Sequence, residues 1–302
     1  MKKINGLTGI VLVAMLVLGV LALTACGDGA GGGDNVPVVF NVATATQWKD
    51  AIASISGGGN NKSYVIEVSG TIIIPGSYYG KNTFGDADNL TITFKGSGTL
   101  KLNDACLIIS IEQDVCHKII IDGPTLEGYS DNSCSIIDII GSGSSLELKN
   151  GKICNNISND SGGGVYMNEG AVFTMSGGEI SGTQGGNGAV SVQDDAKFIM
   201  TGGIISGNTA DSSAGNGFGG GVYVQKAIFI KTGGVIYGNE GAVAAELRNQ
   251  ADSDTQGHAV FFMTWEGDDW EHTYEEFYRD ITLGISDNLS TEDTGSGSGW
   301  GL

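Results

Sequence analysis

Phe173-Thr174-Met175-Ser176-Gly177-Gly178-Glu179-Ile180-Ser181-Gly182 is the stretch on which the fold turns. Apolar and polar residues alternate up to a glycine pair, and an isoleucine follows it. Alternation with period 2 buries one face of a strand. Glycine supplies the positive φ of a tight corner, and the isoleucine opens a second short strand. The phrase recurs as Phe94-Lys95-Gly96, Ile121-Asp122-Gly123 and Met200-Thr201-Gly202, with weaker copies at Val68-Ser69-Gly70, Leu148-Lys149-Asn150 and Lys231-Thr232-Gly233. From Val68 onward the first members are 26, 27, 27, 27, 25 and 31 residues apart. A period of this size means stacked units, none of which can bury its apolar face alone.

Each unit supplies three strands. The first is the alternating one, as in Leu90-Thr91-Ile92-Thr93-Phe94 and Leu146-Glu147-Leu148. The second delivers one inward aliphatic: Ile72, Leu100, Leu126, Ile153, Ile180, Ile205 and Ile236 in turn. The third is clearest at Val165-Tyr166-Met167, Val190-Ser191-Val192 and Val222-Tyr223-Val224. Three short strands per coil predict an all-β chain, a right-handed single-stranded parallel β-helix of about eight or nine coils and about 40 Å in length. A six-residue apolar period, which a left-handed hexapeptide helix needs, is missing. The glycine-rich Gly215-Asn216-Gly217-Phe218-Gly219-Gly220-Gly221 has no aspartate of the kind a calcium β-roll requires.

Before the stack, Val38-Val39-Phe40 reads as a strand. Thr46 is a suitable N-cap for a helix over 46–56, with Trp48, Ala51, Ile52 and Ile55 on one face and Gly57-Gly58-Gly59 ending it. A single amphipathic helix at this place is expected to cap the open end of the core. The β-helix domain is therefore drawn over 38–290, with a C-terminal cap region at 257–290 and a flexible Gly/Ser tail at 291–302.

Upstream, Lys2 and Lys3 precede an apolar run from Ile10 to Leu23, too short for a membrane span. The run closes on Leu23-Thr24-Ala25-Cys26, which resembles a bacterial lipobox. That resemblance implies a signal peptide at 1–25, diacylglycerol on the sulfur of Cys26, and a flexible tether at 26–37. An ordinary secretory signal with an incidental cysteine is the plainer alternative. Residues 26–302 keep 13 of the 15 Lys+Arg against all 34 Asp+Glu, a formal charge of −21. Such acidity excludes a nucleic-acid partner, which needs a basic patch.

The repeats Gly162-Gly163-Gly164-Val165-Tyr166-Met167, Phe173 to Gly182 and Thr201-Gly202-Gly203-Ile204-Ile205-Ser206-Gly207-Asn208-Thr209-Ala210 resemble those of pectin-lyase-like surface lipoproteins, frequent in spirochaetes and other host-associated bacteria. Gly257-His258-Ala259-Val260-Phe261 and the closing Gly-Ser-Gly-Trp are similar to the family's C-terminal pattern. The resemblance implies the fold and a place in the cell envelope, at the outer membrane or cell surface. It implies no catalytic residues.

β-Helix enzymes build sites on outward columns of stacked side chains. Strand one is expected to offer Glu67, Thr93, Ile120, Glu147, Thr174, Ile199 and Ile230. Strand two offers Thr71, Thr99, Thr125, Lys152, Glu179, Ile204 and Val235. Neither collects carboxylates at adjacent levels. Asp194-Asp195, Gly257-His258 and Arg279-Asp280 follow the order of polygalacturonase-like enzymes, where paired carboxylates act as acid and base. The repeat, however, aligns Asp194-Asp195 with the turn Glu169-Gly170, where acidic residues are ordinary. His117, His258 and His272 share no metal-ligand spacing, and no glycine run carries the Lys-Ser or Lys-Thr of a phosphate loop. No metal, cofactor or catalytic residue is assigned.

The segment after 261 breaks the repeat. Trp265, Asp268, Asp269, Trp270 and Tyr274 combine aromatic faces with carboxylates, which suits sugar rings and equally suits an end cap. Aligning Leu107-Ile108-Ile109 on Ser135-Ile136-Ile137 sets Cys106 one coil from Cys134, near enough for a disulfide or for a ladder of buried thiols. Cys116 and Cys154 complete the set. Three functions remain open on sequence grounds: adhesion or binding of a glycan or host-surface ligand by a lipid-anchored rod, polysaccharide cleavage on the same fold, and a structural coat component.

Overall fold

A computed structural model describes residues 36–263 apart from 77–80, 105–106, 160–161, 240–243 and 253–256. Strand β1 (Val38–Val42) and helix α1 (Ala45–Ser56) form the first level. Coil by coil there follow β2 (Ser63–Val68) with β3 (Thr71–Ile74); then β4 (Leu90–Gly96), β5 (Thr99–Leu102) and β6 (Ile109–Ile111); then β7 (His117–Glu127) and β8 (Ile137–Ile140); then β9 (Ser145–Cys154) and β10 (Val165–Asn168). The fifth coil holds β11 (Val172–Met175), β12 (Glu179–Ser181), β13 (Gln184–Gly185) and β14 (Val190–Gln193). The sixth holds β15 (Lys197–Ser206), β16 (Thr209–Ala210) and β17 (Val222–Gln225). The last described holds β18 (Ile228–Ile236), a 3-10 turn at Ala245–Leu247 and β19 (Val260–Met263).

The result is a parallel β-solenoid of about 7 turns with one short helix near its N-terminal end. At one strand spacing per turn it is roughly 34 Å long, shorter than the sequence count suggests. The first and second strand positions share one sheet, running β1-β2-β4-β7-β9-β11-β15 with β18 beyond. The third strand positions make a six-stranded sheet, β6-β8-β10-β14-β17-β19. In β7, β9, β15 and β18 strands one and two are continuous through a bend. The bend needs glycine. At Gly203 φ is +88°, and a Cβ there would sit 2.5 Å from Met175 Cε and 2.7 Å from the Gly177 carbonyl of the coil below.

The seven second-strand aliphatics stack in the anticipated register and are fully buried. Beside them Phe173, Phe198 and Phe229 pile ring on ring, with centroids 4.7 and 5.0 Å apart, the spacing of the strands that carry them. Buried aliphatic and aromatic side chains of this kind stabilise the stack by about 1.5–3 kcal/mol each relative to exposure.

Two sequence expectations are corrected here. Phe94 pairs with Ile66, and Val68 falls opposite Gly96. A two-residue slip keeps every side chain on its proper face, so alternation alone cannot detect it. Spacing can: inward residues of strands one and two lie six apart in both coils when Ile66, not Val68, is matched to Phe94. Val65, not Glu67, therefore heads the outward column. The helix cap moves from Thr46 to Thr44. The Thr44 hydroxyl accepts the Gln47 N–H at 3.2 Å and the Gln47 side-chain oxygen accepts the Ala43 N–H at 2.8 Å, a variant of the capping box that reaches one residue before the cap. Trp48, Ala51 and Ile55 of α1 are buried against the first coils, with Ile52 partly so, and Trp48 meets Phe94 at 6.3 Å.

Candidate ligand-binding face

The outward columns of strands one and two hold pairs rather than clusters. Lys101 reaches Glu127 at 2.7 Å, Lys152 reaches Glu179 at 2.8 Å, and Lys149 reaches Glu147 at 3.4 Å. Burial alone would raise the Glu179 carboxyl, but hydrogen bonds from Lys152 and Ser181 outweigh it and hold the group below its usual range. Towards the C-terminal end both columns turn aliphatic at Ile199, Ile204, Ile230 and Val235.

The third sheet differs. Its middle residues point outward and stack in register as Ser110, Asp138, Tyr166, Ser191, Tyr223 and Phe261. Two residues further along each strand a second column follows: Glu112, Ile140, Asn168, Gln193, Gln225 and Met263. Within a level the two columns bond to each other. Ser110 donates to Glu112 at 3.0 Å, the Asn168 amide to the Tyr166 hydroxyl at 2.8 Å, the Gln193 amide to Ser191 at 2.9 Å, and the Tyr223 hydroxyl to Gln225 at 3.2 Å. Inward of both columns lie Ile137, Val165, Val190 and Val222, all fully buried, so β-strand alternation itself aims the polar set outward.

The first column is covered at four of its six levels and partly exposed at Tyr166 and Phe261, whereas the second is partly exposed throughout. Ser110, Asp138, Ser191 and Tyr223 are buried, whereas Glu112, Asn168, Gln193 and Gln225 remain half-exposed. Cover comes from loops on one side. At Gly162 the chain passes so close that a Cβ there would lie 3.4 Å from the Ser191 Cβ. The 211–219 loop lays Phe218 on Phe261 at 4.4 Å and near Tyr223 at 6.4 Å. That loop is tied down. Asp211 accepts the Ser213 N–H at 2.8 Å and the Gln184 amide at 2.7 Å, and Asp252 accepts the Ser212 N–H at 3.1 Å. The bonds from Ser213 hold the Asp211 carboxyl below its usual range. Burial pushes the Tyr223 hydroxyl up to about 12, so it stays protonated and serves as a hydrogen-bonding group.

Of the polygalacturonase-like set, Asp194 and Asp195 are not brought to His258, while Arg279 and Asp280, like His272, lie outside the described residues. Asp194 and Asp195 are exposed, with φ of +36° and +65°, at the turn that also holds Glu169 (+52°), Gly170 (+81°) and Lys226 (+47°). His258 lies two coils on, beside β19, where its Nδ1 accepts the Ala251 N–H at 2.9 Å. Among the described residues no three His, Cys, Asp or Glu side chains converge as metal ligands would. Burial pushes the Cys154 thiol up to about 11, which suppresses its thiolate. Cys134 is buried against Leu107, Cys116 is partly exposed, and Cys106 lies outside the described residues, as do Cys26, Trp265, Asp268, Asp269, Trp270 and Tyr274.

Strand alternation alone does not single out the third-sheet strip. The signal was present in the middle positions of Val165-Tyr166-Met167, Val190-Ser191-Val192 and Val222-Tyr223-Val224, each followed by Asn or Gln. No family model matches the chain, and no curated protein or solved structure is significantly similar to it.

Proposed function

We propose that this protein is a lipid-anchored β-helix of the bacterial cell surface that binds a hydroxyl-rich polymer, a glycan of host or matrix, along the outer face of its third sheet. The observation that carries this reading is the half-exposed column Asn168, Gln193 and Gln225. Side-chain amides both donate and accept, which is what sugar hydroxyls require. Repetition at one strand spacing suits a chain-like ligand better than a compact one. Trp265, Asp268, Asp269, Trp270 and Tyr274, whose mix of aromatic faces and carboxylates suits sugar rings, follow β19 in sequence and lie outside the described residues. Anchorage rests on Leu23-Thr24-Ala25-Cys26, and the likeness to pectin-lyase-like surface lipoproteins on the glycine-rich repeats. Gly27 after the cysteine favours the outer membrane over retention at the inner one.

Cells with and without the protein, applied to mucin, extracellular matrix and glycan arrays, test the binding half. A strain carrying Asn168→Ala, Gln193→Ala and Gln225→Ala together should match the deletion while keeping normal protein levels. Equal binding by all strains would sink the reading. Release of reducing ends or unsaturated uronates from the bound polymer would replace binding with cleavage. For the anchor, Cys26→Ser should abolish palmitate incorporation and shift the protein to the soluble fraction; full retention on membranes would refute it.

A further inference from the structure

Among the described residues, the N-terminal end of the stack carries a strand paired on one side: β1 stands first in its sheet and its one described partner is β2. The Val42 carbonyl accepts the Ser69 N–H at 2.9 Å, so the backbone groups of Val42 face β2. Those groups alternate sides along a strand. Phe40 and Val38 therefore also face β2, and the N–H and C=O of Val39 and Asn41 point to the open edge. That edge is short and bounded. Pro37 has no N–H to offer, and the Ala43 N–H is taken by Gln47.

The side chains there are apolar and uncovered. Val36, Val38 and Val39 are 82%, 51% and 55% exposed, although Val38 belongs to the core-facing column together with Phe40, which stacks on Tyr64 at 6.1 Å. In a chain of net charge −19, no residue from Val36 to Trp48 is charged. Natural edges are usually blunted by lysine, a bulge or a covering element; β1 carries no lysine or bulge, and among the described residues no strand pairs with its other side.

We propose that a second copy of this chain covers the edge, by antiparallel pairing of the two β1 strands about a two-fold axis at Phe40. In that register Val39 opposes the partner's Asn41, and the pair exchange both backbone hydrogen bonds; symmetry repeats the exchange at Asn41. Every edge N–H of both strands is then satisfied. Pro37 opposes the partner's Ala43, and neither has an N–H to give, so the ladder ends where its donors end. Val38 meets the partner's Val42, and Phe40 meets its own equivalent, which prolongs the apolar column across the axis. The uncharged stretch is the place on an acidic surface where two copies meet with least repulsion. This inference stands whether or not the chain is lipid-anchored.

Two measurements test it. The full chain should sediment at twice its single-chain mass, and Val39→Pro, which removes one edge N–H without touching the β2 side, should return it to one. Phe40→Cys places two thiols across the axis at a non-hydrogen-bonded pair, where Cβ atoms are about 4.5–5.5 Å apart. Under an added oxidant, intact cells should yield a double-mass band linked from position 40 to position 40. A wild-type chain that is folded by circular dichroism yet sediments as one copy overturns the proposal, and so does a position-40 cross-link to a different protein. Should Phe40→Cys fail to fold, the sedimentation pair decides alone.

Discussion

Amide side chains do opposite work inside and outside this solenoid. Inside, at the corner after strand two, Asn156, Asn208 and Asn249 are fully buried. Asn156 donates to the carbonyls of Cys134 and Gly163 and accepts from the Tyr129 N–H and the Asn132 amide, at 2.8–3.0 Å. Asn208 accepts from both donors of Thr183 at 3.0 Å and donates to the Ile180 carbonyl at 3.1 Å and to Asn249 at 2.9 Å. Asn249 closes the series on the carbonyls of Ile205 and Tyr237. These groups saturate backbone that the turns leave without strand partners. Outside, Asn168, Gln193 and Gln225 are half-exposed, and the two bonds given above for Asn168 and Gln193 join neighbours on the same strand. The same chemistry therefore holds the coil together where it is dry and faces solvent where it is wet.

The sharpest way to break the comparison is Asn208→Ala. It removes the acceptor of both the Thr183 N–H and the Thr183 hydroxyl, and the side-chain donor to the Ile180 carbonyl, in a buried site. The loss should be on the order of 3 kcal/mol or more in denaturant unfolding. A loss under about 0.5 kcal/mol would mean that water replaces the amide and that the interior ladder is not structural.

Acid provides the next test, on a buried polar group outside the ladder. His117 lies in the core-facing column opposite Leu90, edge-on to Phe84 at 6.3 Å, with Nδ1 against the Cys116 carbonyl at 2.9 Å and a buried Nε2 that has no partner. Burial pushes its pKa below 6.5, against smaller upward pulls from the Cys116 carbonyl and Asp88. The unfolded chain then binds the proton first. Stability is unaffected above the free-imidazole value, falls as pH drops below about 6.5, and has lost the full contribution once pH passes the folded pKa. His117→Phe should flatten that part of the pH profile in thermal melts; an unchanged slope would assign it to the carboxylates.

Exposed charges should matter less. Glu179→Gln breaks the pair with Lys152 at the surface and should cost about 0.2–1 kcal/mol, shrinking in high salt. Smallest of all, Gln193→Ala and Gln225→Ala should change stability by no more than about 0.5 kcal/mol while reducing ligand binding. A large stability loss at either would place them with Asn208 and remove the distinction between the two amide sets.

The sequence disclosed what is forced by period and face. Ile72 to Ile236 could be numbered coil by coil because one aliphatic follows each glycine bend. The β2 register slipped because Tyr64, Ile66 and Val68 are all inward, so a shift of two costs no burial. The ladder's last member was hidden for a different reason. Ile236-Tyr237-Gly238-Asn239 imitates Ile205-Ser206-Gly207-Asn208, yet the offset between coils grows from 31 residues at Ile205–Ile236 to 41 at Thr209–Gln250. Ten inserted residues carry Asn249 into the place that Asn239 mimics, and only tertiary pairing can choose between them. The outward face of the third sheet escaped because its residues alternate with the valines that announce the strand. Thr44 was passed over for Thr46 although only Thr44 has a glutamine three residues on.

The direction in which β1 would be loaded has a mechanical consequence. β1 lies flat against β2 over five residues, and its chain continues toward the N-terminus at Val36. A pull on that end directed along the solenoid axis runs parallel to the backbone hydrogen bonds, so it opens them one at a time, as a zipper opens, instead of straining the whole row at once. Once β1 is released, α1 with its buried Trp48, Ala51 and Ile55 must be drawn out before β2, and the coils beyond then come away strand by strand. A pull along the strand direction would meet the full row together. The fold is thus soft along its axis and stiff across it.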